Sequence, residues 1–173
     1  MKRAQVSVIG YGEQFCPRSA YATSLELGRE IARAGLVLIT GGLTGVMEGS
    51  SRGAKEAGGL TVGIVPSGDI GQANEYCDAV VATGTGYMRS FFVVNSGDVV
   101  IVVGGGAGTM IEAEAAYLGG KPVIAIRGTG GVADQIAGRY LDEKKTIKVL
   151  GVNSAREAVK NALRMLSRDG DVA

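Results

Sequence analysis

The chain has 173 residues, of which 46% are apolar and 20% charged, and this predicts one soluble globular domain over 1–173. A net charge of +1 gives no electrostatic reason to expect nucleic acid or a membrane as partner. Histidine is absent, which excludes Ser-His-Asp catalysis and histidine-ligated metals, and we expect no metal ligands. Cys16 and Cys77 are too few for a disulfide framework, and no apolar run reaches the ~18 residues of a membrane span, so we expect a cytoplasmic protein.

Short apolar segments alternate with helical patterns along the whole chain. Strands are predicted, in chain order, at 6–10, 36–40, 60–66, 78–83, 98–104, 122–126 and 146–150. Helices are predicted at 19–34, 46–57 and 87–96, from the glycine-rich segment 104–108 to residue 118, within 128–141, and at 154–167 with Ser154 as N-cap. The alternation is typical of α/β proteins and predicts a parallel sheet of about seven strands with helices on both faces.

Glycine is unusually abundant, with 29 residues, and it clusters after four of the predicted strands, at 10–12, 41–45, 84–86 and 104–108. In open parallel sheets, ligands bind beyond the carboxyl ends of the strands, at a switch point of the strand order. A glycine-rich turn that leads into a helix also leaves backbone amides free to bind an anion. We therefore predict two anion-binding loops at adjacent strand ends, within 40–49 and 104–112. Tight turns alone are the alternative explanation for either loop.

The predicted ligand-binding residues are those where a phosphate could approach the backbone or a hydroxyl: Gly10, Gly41, Gly42, Gly45, Gly105, Gly106, Gly108 and Thr109. Neither loop is a Walker loop, and 10–15 lacks the third glycine of a dinucleotide fingerprint. The spacing of Thr109 and Glu112 also fits a capping box, in which both side chains bond the first amides of the helix. Arg89 could bind a phosphate group or pair with a nearby acidic side chain. The segment 91–94 is expected in the core or on a subunit interface.

The segment GGGAGTMIE, residues 104–112, resembles the Pro-Gly-Gly-x-Gly-Thr-x-x-Glu signature of the LONELY GUY family, long mislabelled as lysine decarboxylases. Arg89 stands where that family has an Arg-Lys pair, and 40–59 resembles its other glycine-rich segment. The likeness runs from about Val6 to Ser167. It implies a Rossmann-like domain that cleaves the base from a nucleoside 5′-monophosphate, with Arg89 and Glu112 as catalytic residues.

Two departures from that signature point to a neighbouring branch. Gly104 stands where the family has proline, and Ser90 stands where the pair has lysine. The molybdenum cofactor carrier proteins share both departures, and 45–66 also resembles them, so this branch is the closer match. The resemblance implies a pterin with a terminal phosphate as ligand, held without chemistry, and a homo-oligomer, either dimer or tetramer. Glu112 would then serve mainly as the capping-box partner.

Three functions stay open from the sequence. The favoured one is carrier-like binding of a phosphate-bearing ligand, either the molybdenum cofactor or a nucleoside monophosphate, with no other cofactor required. The alternative is a phosphoribohydrolase that cleaves the N-glycosidic bond of a nucleoside 5′-monophosphate, and not a lysine decarboxylase. The third is a nucleotide-sensing regulatory module. The polar segment 67–77 is a candidate lid over the site.

Overall fold

Seven strands form one parallel sheet in the computed structural model of the protein, which describes residues 3–169. The strand order is β4-β3-β2-β1-β5-β6-β7. In chain order the strands are β1 (Gln5–Gly10), β2 (Val37–Thr40), β3 (Thr61–Val65), β4 (Ala79–Ala82), β5 (Val99–Val103), β6 (Val123–Ile126) and β7 (Leu150–Val152). The prediction of a parallel sheet of about seven strands is confirmed.

Helices cover both faces of this sheet, as predicted. Within residues 3–169 they are α1 (Arg18–Arg33), α2 (Val46–Glu56), α3 (Arg89–Ser96), α4 (Ala107–Leu118), α5 (Gly131–Ile136) and α6 (Ala155–Asp169). Helices α1, α2 and α6 pack on one face and α3, α4 and α5 on the other, so the sheet separates two apolar cores. None of these helices is long and apolar enough to cross a membrane.

Successive residues of the central strands are buried in alternate cores. On β1, Val8 packs in the core under α1 and α6, whereas Ile9 packs in the core under α3 and α4. All five residues of β5 are buried. Because a strand covered on both faces has no solvent side, its sequence is apolar throughout, and this continuous pattern made β5 easy to recognise.

Helices α1 and α2 touch backbone to backbone, which fixes the position where α2 begins. A Cβ atom on Gly28 of α1 would lie 2.0 Å from the carbonyl oxygen of Ser50, and one on Gly53 of α2 would lie 1.9 Å from that of Leu25. Glycine is therefore required at both positions for this close approach. The first turn of α2 lies beside the loop after β1. There the amide of Val46 donates a hydrogen bond to the carbonyl of Tyr11.

The last strand lies further along the chain than predicted. The sequence favours a strand at 146–150, but β7 begins at Leu150, which pairs with Ile124 of β6. The preceding residues are held elsewhere: the amide of Thr146 donates to the Tyr117 hydroxyl, and the amide of Val149 donates to the carbonyl of Arg139. Of the β-branched residues of this segment, Val149 is buried in the core under α3 and α4 whereas Thr146 is exposed, and only the end of the segment reaches the sheet.

A crevice opens at the carboxyl ends of β1 and β5, which are neighbours in the sheet. The chain leaves β1 towards α1 on one face and leaves β5 towards α4 on the other face. This is the switch point where open α/β sheets bind ligands. The two predicted anion-binding loops follow β2 and β5, and β1 lies between those strands, so the expectation of adjacent strand ends is wrong.

Candidate functional site

A cavity of 640 Å³ lies in this crevice, and its volume is within the range typical of small-molecule sites. It is lined by residues from the segments that follow β1, β2, β4 and β5. Seven of the predicted site residues line it together: Gly10, Gly41, Arg89, Gly106, Gly108, Thr109 and Glu112. The sequence therefore identified residues from four separate segments that the fold brings to one place.

The first turn of α4 presents free amides to the cavity. Gly106 is the N-cap, and the first amide that donates within the helix is that of Met110, to the carbonyl of Gly106. Among residues 3–169, the amides of 106–109 have no acceptor in the protein. Gly106 and Gly108 line the cavity, and a Cβ atom on either would meet nothing within 4 Å. Open amides at the positive end of a helix dipole are a ready-made anion site.

Thr109 and Glu112 do not form the predicted capping box. Helix α4 begins at Ala107, so Thr109 lies inside the first turn, and the cap residue Gly106 has no side chain to bond an amide. The Thr109 hydroxyl instead donates to the carbonyl of Gly10, 3.1 Å away, and so ties the end of β1 to α4. Since a hydroxyl has one proton, its contact with a ligand would be made through the oxygen or after this bond opens.

Arg89, the first residue of α3, carries a largely buried positive charge at the cavity. Its side chain is 12% exposed, and its Nε atom is buried with no hydrogen-bond partner among the residues that the structure describes. Burial lowers the pKa of the guanidinium, and the charge of Glu112 raises it. Gly41 makes room for this group, because a Cβ atom there would lie 2.3 Å from the Arg89 Nη1. A buried cation with an unpaired N–H is a strong binding partner for an anion.

Glu112 faces Arg89 from α4 and is equally buried. The Oε1 of Glu112 lies 3.7 Å from the Nη1 of Arg89, and the Glu112 side chain is 10% exposed. Burial raises the pKa of Glu112 to about 7, although the nearby Ser90 hydroxyl and the Arg89 charge both act to lower it. The carboxyl group therefore exchanges a proton near neutral pH, which is unusual for a glutamate and typical of functional sites.

Three predicted ligand-binding glycines lie outside the cavity lining, and close packing explains each of them. A Cβ atom on Gly42 would meet Val65, and one on Gly45 would lie 2.4 Å from the Tyr11 carbonyl oxygen. A Cβ atom on Gly105 would lie 2.5 Å from Thr109. All three glycines also have positive φ angles, which other residues rarely adopt.

Gly104 has a backbone that proline cannot adopt. Its φ is +60°, whereas proline is confined to about −65°. Its amide also donates to the Thr129 hydroxyl at 2.9 Å, and proline has no amide hydrogen. The Tyr11 ring lies 2.1 Å from the place where a Cβ atom would be. The backbone of this chain therefore excludes the proline that the LONELY GUY signature has at this position.

The apolar and aromatic residues of the lining were not predicted from the sequence. Among these are Tyr11, Phe15, Met47 and Tyr87, which follow or lead into the glycine clusters. Their proximity to those clusters was the one signal that could have identified them. The candidate lid, 67–77, contributes no residue to the lining. Within it, the Asn74 amide group donates to the carbonyls of Gly42 and Leu43, which holds this segment against the loop after β2.

The fold and the site together define an α/β protein of Rossmann-like topology, with a cavity at its switch point that is lined by a buried arginine and the start of a helix. The chain belongs to the SLOG cluster4 family, whose model matches residues 3–159. A relative from Archaeoglobus fulgidus is 44% identical over 128 residues, which is 73% of this chain and 82% of the relative.

Among the solved structures that resemble the chain over nearly its whole length are two molybdenum cofactor proteins. The molybdenum cofactor binding protein from Rippkaea orientalis is 32% identical, with a TM-score of 0.86, and the match covers 96% of this chain and 99% of that one. The molybdenum cofactor carrier protein from Chlamydomonas reinhardtii is 29% identical, with a TM-score of 0.84 and the same coverage. The similarity to the carrier branch that the sequence indicated is therefore found in the structures.

Proposed function

We propose that the protein binds a phosphate-bearing small molecule in the cavity between β1 and β5 and carries it without chemical change. The observation that carries this proposal is the buried Arg89, whose Nε has no partner among residues 3–169, beside the open amides at the start of α4. A terminal phosphate satisfies both, because it accepts several hydrogen bonds and supplies the negative charge that they favour.

The molybdenum cofactor is the proposed ligand. The support is the likeness to the proteins from Rippkaea orientalis and Chlamydomonas reinhardtii, which are described as binding or carrying that cofactor. Gly104 and Ser90 also stand where the hydrolase signature has proline and lysine. In this proposal, the amides of 106–109 and Arg89 hold the phosphate, and the rest of the cavity holds the pterin. The reactive metal centre is cargo, so no residue of the chain needs to act on it.

A second candidate function is the hydrolysis of a nucleoside 5′-monophosphate, and the state of Glu112 favours it. Its carboxyl group lines the cavity, is buried and has a pKa of about 7, so both charged and neutral forms are present at neutral pH. A carboxylate beside the ribose would stabilise the positive charge that develops as the base leaves. Arg89 would then hold the phosphate or the carboxylate in position.

One experiment separates the two functions. The purified protein is incubated with the molybdenum cofactor and, separately, with a panel of nucleoside 5′-monophosphates, and both bound ligand and free base are measured. We expect the cofactor to bind with one molecule per cavity, and no base to be released from any nucleotide. Glu112→Gln is the matched variant, because it removes the ionisable carboxyl and keeps the size of the side chain.

The possible results are distinct. Base released by the parent protein and not by Glu112→Gln would replace the carrier proposal with the hydrolase. Failure of both the cofactor and the nucleotides to bind would contradict an anion site in this cavity. Binding of the cofactor by both proteins, with no release of base, would support the carrier.

We also propose that the protein is a homo-oligomer that associates through the outer surface of α3 and α4. This α3–α4 surface consists of Phe91, Phe92, Ile111 and Leu118, all of which are exposed. Of the segment 91–94, only Val93 and Val94 enter the core. A cluster of large apolar side chains in solvent is typical of a surface that another protein covers.

The oligomer is expected to dissociate when charges enter the α3–α4 surface. In the double variant Phe92→Lys and Leu118→Lys, two lysines would have to be buried without partners, which is unfavourable at an apolar interface. The molar mass from light scattering should fall to that of one chain. Leu163→Lys is the control, because Leu163 is an exposed apolar residue of α6 on the other face of the sheet. A parent protein that is already monomeric would contradict the proposal.

A further inference from the structure

Two aromatic side chains that line the cavity are largely exposed to solvent. Phe15 ends the short 3-10 turn after β1 and is 73% exposed, and Tyr87 lies in the turn before α3 and is 96% exposed. Both residues line the same cavity as Arg89 and Glu112. Rings with this exposure contribute little to the packing of the free protein, so packing does not account for their position.

The two rings reach the cavity from different sides. The turn with Phe15 leads into α1, and the turn with Tyr87 leads into α3, and these helices cover opposite faces of the sheet. The charged end of the cavity, at Arg89 and the start of α4, lies deeper, since the Arg89 side chain is only 12% exposed. A ligand whose phosphate binds at that end extends towards the two rings. The cavity is thus polar at its floor and aromatic at its mouth.

We propose that Phe15 and Tyr87 hold the planar nitrogen heterocycle of the ligand by stacking, and that they select ring-bearing phosphates over ring-free phosphates. The proposal rests on the proposed function, because the phosphate site sets where the ring lies. Stacking recognises a flat π-system and tolerates differences at its edge, so purine and pterin rings both satisfy it. Specificity for one ring over the other would come from elsewhere in the cavity.

The test compares phosphates that differ in the presence of a ring. Affinities for guanosine 5′-monophosphate, the molybdenum cofactor, ribose 5-phosphate and inorganic phosphate are measured for the parent, Phe15→Ala, Tyr87→Ala and the double variant. We expect each single variant to bind the ring-bearing ligand about tenfold more weakly, as stacking on one aromatic side chain typically contributes. Affinity for ribose 5-phosphate should stay within about twofold of the parent, because that ligand makes no stacking contact.

A spectroscopic reporter gives an independent reading of the same contact. The chain has no tryptophan, so Phe15→Trp introduces a single one at the mouth of the cavity. Its fluorescence should be quenched by the ring-bearing ligand and not by ribose 5-phosphate. Tyr140→Ala is the matched control for loss of an exposed ring, since Tyr140 is exposed and outside the cavity lining. This control should bind every ligand as the parent does.

Three outcomes would overturn the proposal that Phe15 and Tyr87 hold the ring of the ligand. If the parent binds ribose 5-phosphate as tightly as the ring-bearing ligands, or if the double variant keeps the preference, the rings do not hold the ligand. If Phe15→Ala or Tyr87→Ala alters the molar mass and leaves the preference unchanged, the rings belong to a subunit interface. If neither the ring-bearing nor the ring-free phosphates bind, the phosphate site itself is wrong, and the proposed function fails with the inference.

Discussion

Replacing Gly106 with aspartate is expected to abolish ligand binding while leaving the fold intact. Gly106 is the N-cap of α4 and has an extended backbone, φ −116° and ψ −153°, which any residue can adopt. Aspartate is a preferred N-cap residue, because its carboxylate accepts hydrogen bonds from the first amides of the helix. In this protein those amides are the proposed phosphate donors, so the new side chain would occupy the site and repel the ligand.

The expected loss of affinity is on the order of 100-fold or more, because each hydrogen bond to a charged group contributes roughly 1.5–3 kcal/mol. Calorimetric titration with the ligand that the parent binds measures it directly. Thermal denaturation should show that Gly106→Asp is at least as stable as the parent, since a Cβ atom at this position meets nothing within 4 Å. Gly106→Ala adds the same Cβ atom without the charge and should retain most of the affinity. Unimpaired binding by Gly106→Asp would place the phosphate elsewhere.

The strands were predictable where burial leaves a clear pattern in the sequence. β1 and β5 are covered on both faces. β5 is a continuous apolar run followed by Gly104, and β1 is apolar except for Gln5 and Ser7 and ends at Gly10, so their bounds were predicted to within one residue. β7 was misplaced, because the β-branched residues within 146–149 also suit an irregular segment that pairs with no strand, of which only Val149 is buried. The order of the strands is a long-range property, and without it β2 and β5 were taken as neighbours.

The polar part of the site was predictable because its chemistry requires particular residue types. The start of a helix has free amides, glycine lets an anion approach them closely, and a cation such as Arg89 complements the charge of the anion. The role of Thr109 could not be obtained in this way. A capping box and a helix that starts three residues earlier have the same Thr-x-x-Glu spacing, and only the backbone distinguishes them. The packing roles of Gly42, Gly45 and Gly105 could not be predicted from the sequence either. The atoms that a side chain at these positions would meet belong to residues that are distant in sequence or are brought close by the turn itself.

The stability of the protein is expected to fall as the pH rises from about 4.5 to about 7, and Glu112 should account for much of that change. Burial raises the pKa of this carboxyl group from its ordinary value of 4.5 to about 7 in the folded state. In the unfolded chain the group is solvated and titrates near its ordinary value. Between these two values the folded state therefore binds more protons than the unfolded state, so the free energy of unfolding decreases with rising pH.

The change attributable to Glu112 is roughly 3 kcal/mol, complete at about pH 8 and absent below about pH 4. This free energy already includes the attraction between Arg89 and the Glu112 carboxylate, because the charge of Arg89 lowers the same pKa that burial raises. Urea denaturation of the parent and of Glu112→Gln across this range gives the difference in free energy of unfolding. As the pH rises, the free energy of unfolding of the parent should fall by roughly 3 kcal/mol relative to that of Glu112→Gln, because the glutamine has no proton to lose.

Glu114→Gln controls for the loss of a carboxyl group as such, because Glu114 is an exposed residue of the same helix. Its difference from the parent should vary far less with pH than that of Glu112→Gln. Parallel stability curves for Glu112→Gln and the parent would mean that Glu112 is solvated when it ionises, and would remove the physical basis for a protonated carboxyl in the cavity. Curves that converge at low pH would establish that the protein retains a buried acid beside Arg89 at the expense of its own stability. Such a cost is expected where a charged group serves binding or catalysis.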